Sequence, residues 1–199
     1  MKRRIQAIET VYNGYRFRSR LEARWAVFFD ALNIHYEYEP EGYYLPVAGV
    51  RYLPDFWLPQ VNMWAEVKPI SLTSAEKLKC KELAVVTGHP VLMLDSQPLA
   101  RNYWAYEQAY SYDEEGVGTP TGEIVHCDFA LMNTKRYWEI ESRFFASTGV
   151  GWPEVWNCYC YGYDHPVTCV CDECDPFGAV RSARQARFEH GETPQIGRI

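Results

Sequence analysis

Two carboxylates inside short apolar runs constrain this chain more than any other feature of its sequence. Residues 52–58 and 63–68 have the length and apolar content of strands, and residues 59–62 between them are typical of a turn. Asp55 lies in the first run and Glu66 in the second. A hairpin that is symmetric about residues 60 and 61 places these two side chains directly opposite each other. Opposed carboxylates repel, so the hairpin needs a compensating positive charge.

A bound divalent cation is one source of that charge, because Mg²⁺ is typically held by one or two carboxylates plus substrate phosphates. Lys68 projects from the same face as Glu66, since side chains alternate along a strand. Its ammonium group is then placed to bind a phosphate or to orient water. The alternative interpretation is a surface ion pair, with Asp55, Glu66 and Lys68 on an exposed sheet face.

The clearest helix in the sequence covers residues 19–33. Its apolar side chains recur at helical spacing, at Leu21, Trp25, Phe28, Phe29 and Leu32. Ser19 and Glu22 have the spacing of a capping box, which makes Ser19 the expected N-cap. Glu22 also leans toward the apolar stripe, where an unpaired carboxylate is costly. Its position therefore fits two roles, a helix-capping residue and a functional carboxylate.

Residues 19–95 alternate between helix and strand patterns, and this order predicts a compact α/β unit. Further strands are expected at residues 34–38, at 43–50 with a Pro-Val-Ala-Gly loop at 46–49, and at 90–94. Three acidic residues before the hairpin are interpreted as a solvated edge without a catalytic role: Glu37, Glu39 and Glu41.

A second helix is expected after the hairpin. Pro69 ends the strand that holds Lys68, since proline cannot donate to a sheet ladder. Thr73 or Ser74 then caps a helix that runs to about residue 86 and ends at Gly88. Beyond residue 95 the pattern weakens, and we expect irregular chain at 96–122, a strand at 124–129, and helices at 136–145 and 179–189.

The charge of the chain limits the classes of partner. A formal net charge of −6 argues against a protein that coats nucleic acid without selectivity. Four arginines nevertheless surround the start of the first helix: Arg16, Arg18, Arg20 and Arg24. Contact with nucleic-acid phosphates and ordinary solvation both fit this group. The chain shows no membrane-spanning run and no secretory signal, so a cytoplasmic location is expected.

Cysteines cluster in the C-terminal part of the chain. Of seven cysteines, five fall in one short segment: Cys158, Cys160, Cys169, Cys171 and Cys174. A Cys-x-x-Cys pair with an upstream Cys-x-Cys pair is compatible with a structural Zn²⁺ site, which needs four ligands. Cys158, Cys160, Cys171 and Cys174 are the expected ligands, with Cys169 and His165 as alternates. Free buried thiols are the other interpretation.

The helix and the hairpin together resemble the PD-(D/E)xK nuclease superfamily, through Glu22, Pro54-Asp55 and Glu66-x-Lys68. A wider pattern is similar to the phage endonuclease I family of Holliday-junction resolvases, which cut branched DNA. It comprises Phe17-Arg18-Ser19-Arg20-Leu21-Glu22, Tyr36-Glu37-Tyr38-Glu39 and Tyr52-Leu53-Pro54-Asp55-Phe56-Trp57-Leu58-Pro59. The Ser-x-Leu-Glu helix start also resembles the TnsA-type transposase subunit. The resemblance covers about residues 15–95 and breaks at Pro69, where that family often has glycine.

The resemblance implies a restriction-endonuclease-like α/β core and assigns roles to the site residues. Asp55 and Glu66 become ligands of Mg²⁺ or Mn²⁺, together with the backbone carbonyl of Val67. Glu22 holds a second metal ion or an ordered water, and Lys68 orients the attacking water or steadies the phosphate. A phosphodiester is then hydrolysed by in-line attack of metal-activated water. Resolution of a junction needs two nicks, which implies a homodimer.

The sequence as a whole predicts three parts. These are a nuclease core with a basic arm (residues 1–95), an irregular extension (96–190) with a zinc-binding segment at 156–175, and a flexible tail (191–199). The expected function is that of a metal-dependent DNA endonuclease selective for branched DNA, in a prokaryote or a phage-infected cell. Two alternatives stay open: a transposase or restriction subunit that needs a partner, and a catalytically weak DNA-binding or inhibitory protein. RNA is an alternative substrate.

Overall fold

The described part of the chain is a mixed α/β fold, with helices packed on a mixed sheet. A computed structural model describes residues 7–32, 34–59, 62–98, 103–127, 130–134, 137–141 and 176–188. The helices are α1 (Arg20–Ala31), α2 (Ser74–Thr87) and α3 (Pro176–Gln185). The strands are β1 (Thr10–Tyr12), β2 (Tyr15–Phe17), β3 (Glu37–Tyr38), β4 (Tyr43–Leu45), β5 (Val50–Tyr52), β6 (Phe56–Leu58), β7 (Met63–Lys68), β8 (Val91–Asp95), β9 (Tyr103–Tyr112), β10 (Gly118–Cys127), β11 (Ala130–Thr134) and β12 (Tyr137–Glu141).

The largest sheet within these ranges has six strands in the order β10-β9-β8-β7-β6-β3. Its neighbours are antiparallel except for the β7–β8 pair, which is parallel. A parallel pair needs a long crossover connection, and α2 supplies it. Residues Met63 to Val67 of β7 are all buried, because one apolar cluster packs α1 against the sheet and another packs α2.

Helix α1 begins and packs as its sequence predicts. The Ser19 hydroxyl accepts a hydrogen bond from the backbone N–H of Glu22 at 3.2 Å, which makes Ser19 the N-cap. Trp25 and Phe29 are fully buried, and the ring of Phe29 lies edge-on to the ring of Phe56, with the centroids 5.4 Å apart. The apolar stripe therefore holds α1 against β6, the strand that starts directly after Asp55.

Helix α2 also has the predicted ends. The Thr73 hydroxyl accepts from the backbone N–H of Glu76, and the Glu76 carboxylate accepts from the backbone N–H of Thr73 at 2.8 Å, which completes a capping box. Gly88 follows the helix with a φ of +70°, a conformation that glycine adopts without strain. Both ends of α2, the helix that connects β7 to β8, are therefore determined by residues close to them in the sequence.

The structure corrects the first strand of the predicted hairpin. Residues 52–58 do not form one strand: β5 ends at Tyr52 and pairs with β4, whereas β6 begins at Phe56 and pairs with β7. Pro54 lies between them and has no N–H to contribute to a ladder. The chain therefore leaves one sheet and enters another immediately before Asp55.

Of two neighbouring predictions, one is confirmed and one is revised. The loop expected within residues 43–50 is the turn at residues 46–49, which separates β4 from β5. The strand expected at residues 34–38 is reduced to β3, which pairs with β6. Glu39 follows β3 with a φ of +47°, a value that is uncommon for residues other than glycine. The chain turns at this residue and the strand ends.

The chain beyond residue 95 is more regular than its sequence predicts. β9 and β10 form a long antiparallel hairpin and β9 pairs with β8, so the central sheet continues across residue 95. The expectation of irregular chain at residues 96–122 is therefore wrong. Polar and glycine residues along this exposed hairpin concealed its strand pattern. Asp113 closes the turn by accepting hydrogen bonds from the backbone N–H groups of Glu115 and Val117, at 3.0 and 2.8 Å.

The helix expected at residues 136–145 is also wrong, because β12 occupies this region and pairs with β11. Aromatic and β-branched residues in β12 favour a strand. The helix expected at residues 179–189 is confirmed in part, because α3 runs from Pro176 to Gln185. This helix packs on α1 through buried Ala179 and Ala183.

In the described residues, no helix has the length and apolar content needed to cross a membrane.

The capping box of α2 gives a first test of the fold. Thr73→Ala removes both hydroxyl bonds of the N-cap and should lower the free energy of unfolding by about 1 kcal/mol. Urea denaturation followed by circular dichroism measures the change. Ser71→Ala, an exposed change two residues earlier, is the control and should leave the stability unaltered. Equal stabilities of the two variants would contradict the capping role.

Candidate functional site

Three adjacent strands bring three carboxylates into one row across the sheet. The β6–β7 register, continued by one residue beyond Phe56, places Asp55 opposite Glu66, in agreement with the symmetry expected of the hairpin. The β3–β6 register sets Glu39 on the other side of Asp55, and the backbone N–H of Glu39 donates to the Asp55 carbonyl at 3.0 Å. We call Glu39, Asp55 and Glu66 the carboxylate row.

Asp55 is the central member of the carboxylate row and is only 2% exposed. Its Oδ2 accepts from the backbone N–H of Val67 at 2.8 Å, and its Oδ1 accepts from Nη2 of Arg18 at 2.9 Å. Burial raises the pKa of Asp55, and the charge of Glu66 raises it further, although Lys68 acts in the opposite direction. The neighbouring donors and cations therefore do not fully stabilise the ionised form of Asp55.

Glu66 and Lys68 lie on the same face of β7, as predicted, and their charged groups are in contact. Burial lowers the pKa of Lys68, but the charges of Glu66 and Asp55 outweigh burial and the net shift is upward. Lys68 is therefore a cation and a hydrogen-bond donor at neutral pH. The second oxygen of Glu66, Oε2, is buried and has no hydrogen-bond partner among the described residues. Such an orphaned oxygen is costly unless a ligand binds to it.

Glu22 reaches the cluster from the start of α1 and is buried. Its oxygens accept from the Ser19 hydroxyl at 2.7 Å, from the backbone N–H of Arg18 at 3.0 Å and from the Tyr38 hydroxyl at 2.5 Å. The negative charge of Glu22 also contributes to the raised pKa of Asp55, the central member of the row. These bonds occupy both oxygens of Glu22, and its role as a metal ligand stays a prediction.

Arg18 lies inside the cluster, whereas the sequence suggested either a phosphate contact or an ordinary solvated charge for it. Its Nη2 forms ion pairs with Asp55 at 2.9 Å and with Glu39 at 2.5 Å. Burial lowers the pKa of Arg18, but the hydrogen bond with Tyr38 and the charges of the two carboxylates raise it overall. The guanidinium is therefore a permanent positive charge beside the row.

Sequence reasoning missed Glu39, which was interpreted as part of a solvated edge. Its side chain is only 19% exposed. Burial raises the pKa of Glu39, and the charges of Glu22 and Glu66 also raise it, although Arg18 lowers it. The sequence around Glu39 contained no signal for this position, because only the non-local pairing of β3 with β6 brings it beside Asp55. Glu37 and Glu41 are exposed, as expected.

The four arginines predicted to contact phosphates have different environments. Arg18 lies at the carboxylate row, and Arg16 pairs with Glu9 on the surface. Arg24 is partly buried, and its Nε has no hydrogen-bond partner in the described part of the chain. Arg20 is the first residue of α1. Contact with nucleic acid stays a prediction for all four.

The described residues contain no group of three or more His, Cys, Asp and Glu side chains that could hold a metal ion. The cations beside Asp55 and Glu66 are the side chains of Arg18 and Lys68. The chemistry of the two carboxylates nevertheless suits Mg²⁺ or Mn²⁺, since hard cations prefer oxygen ligands and Glu66 has an unpartnered oxygen. The Val67 carbonyl, 3.3 Å from Nζ of Lys68, is the third available oxygen.

The predicted zinc site lies outside the described residues. This applies to the four expected ligands and to both alternates: Cys158, Cys160, Cys171, Cys174, Cys169 and His165. Within the described ranges Cys80 is a buried free thiol. Its pKa is raised by burial and by the charge of Glu66, which makes it an unreactive side chain of the core.

Comparisons of the chain with protein-family models, with curated proteins and with solved structures found no significant match. The functional interpretation therefore depends on the geometry of the site and on the motif resemblance.

The raised pKa of Asp55 predicts how stability changes with pH. Because folding raises this pKa, ionisation of Asp55 opposes folding, and the stability it contributes is complete at low pH and lost as the pH rises through the raised pKa. Asp55→Asn cannot ionise and retains an oxygen for the Val67 N–H. Without divalent cations, the stability of this variant relative to the wild type should rise between about pH 4 and pH 8, because only the wild type has to ionise a buried carboxyl group over this range.

Urea denaturation in EDTA across this pH range measures the effect. Glu37→Gln removes an exposed carboxylate from the same strand region and should show no comparable rise. If the stability of Asp55→Asn relative to the wild type did not rise with pH over this range, the electrostatic description of Asp55 would be wrong.

Proposed function

We propose that the protein is a metal-dependent DNA endonuclease with a restriction-endonuclease-like core. The observation that carries the proposal is the buried opposition of Asp55 and Glu66, with the Lys68 ammonium beside them. Buried carboxylates in a row oppose folding unless they serve a ligand, and a hard cation is the ligand that their oxygens suit best. The order and spacing of Glu22, Asp55, Glu66 and Lys68 add the resemblance to the PD-(D/E)xK nucleases.

Under this proposal, each residue of the site has a distinct role in phosphodiester hydrolysis. Asp55, Glu66 and the Val67 carbonyl would hold Mg²⁺ or Mn²⁺, which supplies a Lewis acid for activating water and stabilising charge on the phosphate. Lys68 is protonated, so it acts as a donor to the attacking water or the phosphate, not as a base. The Val67 N–H fixes the orientation of Asp55 through a backbone contact that a mobile side chain could not provide. Glu22 positions Arg18 and Tyr38 at the edge of the row.

The substrate and the assembly are inferred from the resemblance. Branched DNA is the favoured substrate, because the wider motif pattern is that of the Holliday-junction resolvases. A homodimer supplies the two active sites that paired nicks need, and the cytoplasm is the expected location. The positive charge of Arg18 at the row supports an anionic substrate, since phosphate contacts supply most of the affinity for nucleic acid.

Loss of either central carboxylate should abolish cleavage and leave DNA binding intact. Asp55→Asn and Glu66→Gln are expected to lower the rate of Mg²⁺-dependent cleavage by at least about a hundredfold, because each removes a ligand of the cation that stabilises the transition state. The measurement is gel analysis of a labelled four-way junction, with binding measured separately in Ca²⁺. Glu37→Gln, exposed and outside the row, is the matched control and should cleave at the wild-type rate.

A panel of linear, nicked and four-way DNAs separates the alternatives. Preferential cleavage of the four-way junction supports the resolvase-like function, and cleavage of linear DNA alone points to a restriction-type nuclease. Binding without cleavage of any substrate would favour the catalytically weak DNA-binding protein. Cleavage that persists in Asp55→Asn would show that the site is elsewhere.

The proposed zinc segment is tested independently of cleavage. Elemental analysis of the purified full chain should find about one zinc per chain, as expected for a tetrahedral site of four cysteines. Cys171→Ser should lower the zinc content, whereas Cys80→Ala, which removes a buried thiol of the core, should not. A metal-free wild-type protein would contradict the zinc assignment and leave the nuclease proposal unaffected.

A further inference from the structure

We infer that Arg18 is a resident counter-ion of the carboxylate row, which a divalent cation must displace from Asp55 in order to bind. The guanidinium then sets how tightly the site holds metal. This inference rests on the proposed function, because it assumes that the row is the metal site.

The geometry of Asp55 identifies the oxygen in question. Oδ2 accepts from the backbone N–H of Val67, which cannot move away without breaking the sheet. Oδ1 accepts from Nη2 of Arg18, a long side chain with several rotatable bonds. A cation that binds Asp55 in its present orientation therefore competes with Arg18 for Oδ1, and the Val67 contact is retained.

Arg18 is also placed to leave the row. Its side chain is 55% exposed, whereas the side chain of Asp55 is 3% exposed, so the guanidinium reaches a buried acceptor from the solvent side. The backbone of Arg18 is held separately, because its N–H donates to Glu22 and to the Tyr38 hydroxyl, each at 3.0 Å. The side chain can therefore swing toward solvent while the start of α1 stays in place.

The same guanidinium joins two members of the row, since Nη2 contacts Glu39 as well as Asp55. Arg18 thus reduces the repulsion between adjacent strands when no other cation is present. Arg16, two residues earlier, pairs with exposed Glu9 and has no such position. Arg16 is therefore a matched control, because it is the same residue type in the same segment but pairs with a carboxylate outside the row.

The experiment measures Mn²⁺ affinity on the full chain, by the electron paramagnetic resonance signal of free Mn²⁺ near pH 8. Arg18→Gln should bind Mn²⁺ about tenfold more tightly than the wild type, because it removes a charged hydrogen-bond donor that competes for Oδ1 from a partly exposed position. Arg16→Gln should bind as the wild type does. Asp55→Asn should lose the site.

The outcomes separate this inference from the proposed function. Loss of Mn²⁺ binding in Asp55→Asn, with equal or weaker binding in Arg18→Gln, keeps the metal site and overturns the role of Arg18. Binding that survives in Asp55→Asn overturns both. If Arg18→Gln fails to fold, Arg18→Lys replaces it: a lysine keeps the charge but loses the planar fork, so affinity should rise a few-fold, and unchanged affinity would overturn the inference.

Discussion

Repulsion among Glu39, Asp55 and Glu66 is the constraint on which the rest of the site depends. Three strands hold these carboxylates in one row, and burial removes the water that would otherwise screen them. The chain offsets the repulsion with a backbone donor from Val67 and with two cations, Arg18 and Lys68. The offset is incomplete, since the pKa of Asp55 stays raised and one oxygen of Glu66 has no described partner. Such a cost is expected at a functional site more than in a purely structural core.

The surrounding fold holds the row in place from both sides of the sheet. Fully buried aromatic residues of α1 pack against β6 and set Glu22 beside Arg18 and Tyr38. Because the crossover through α2 places β8 beside β7, β7 is an interior strand of the sheet, and Glu66 does not lie at a solvent-exposed edge. Pro54 separates β5 from β6, and Asp55 lies directly before β6. The residues of the site therefore lie in regular elements or directly beside them, which favours a precise geometry.

Features predicted correctly from the sequence are those determined by neighbours along the chain. The caps at Ser19 and Thr73 each depend on a residue three positions away. The opposition of Asp55 and Glu66 follows from the symmetry of a short connection. The errors have physical causes of two kinds. β9 and the first part of β10 were missed because polar residues along the hairpin conceal the alternation of a strand. Residues 52–58 were misjudged because a strand pattern does not reveal a change of sheet at Pro54.

The sequence by itself determined the central pair, the face that Glu66 shares with Lys68, and the ends of the two helices that flank them. Only the tertiary structure decided that Glu39 belongs to the row and that Arg18 neutralises it. Arg18 and Asp55 are separated by 37 positions in the chain, and β3 pairs with β6 in a sheet that α1 covers. Local periodicity contains no information about such distant pairings, because they depend on which apolar surfaces cover one another when the whole chain folds.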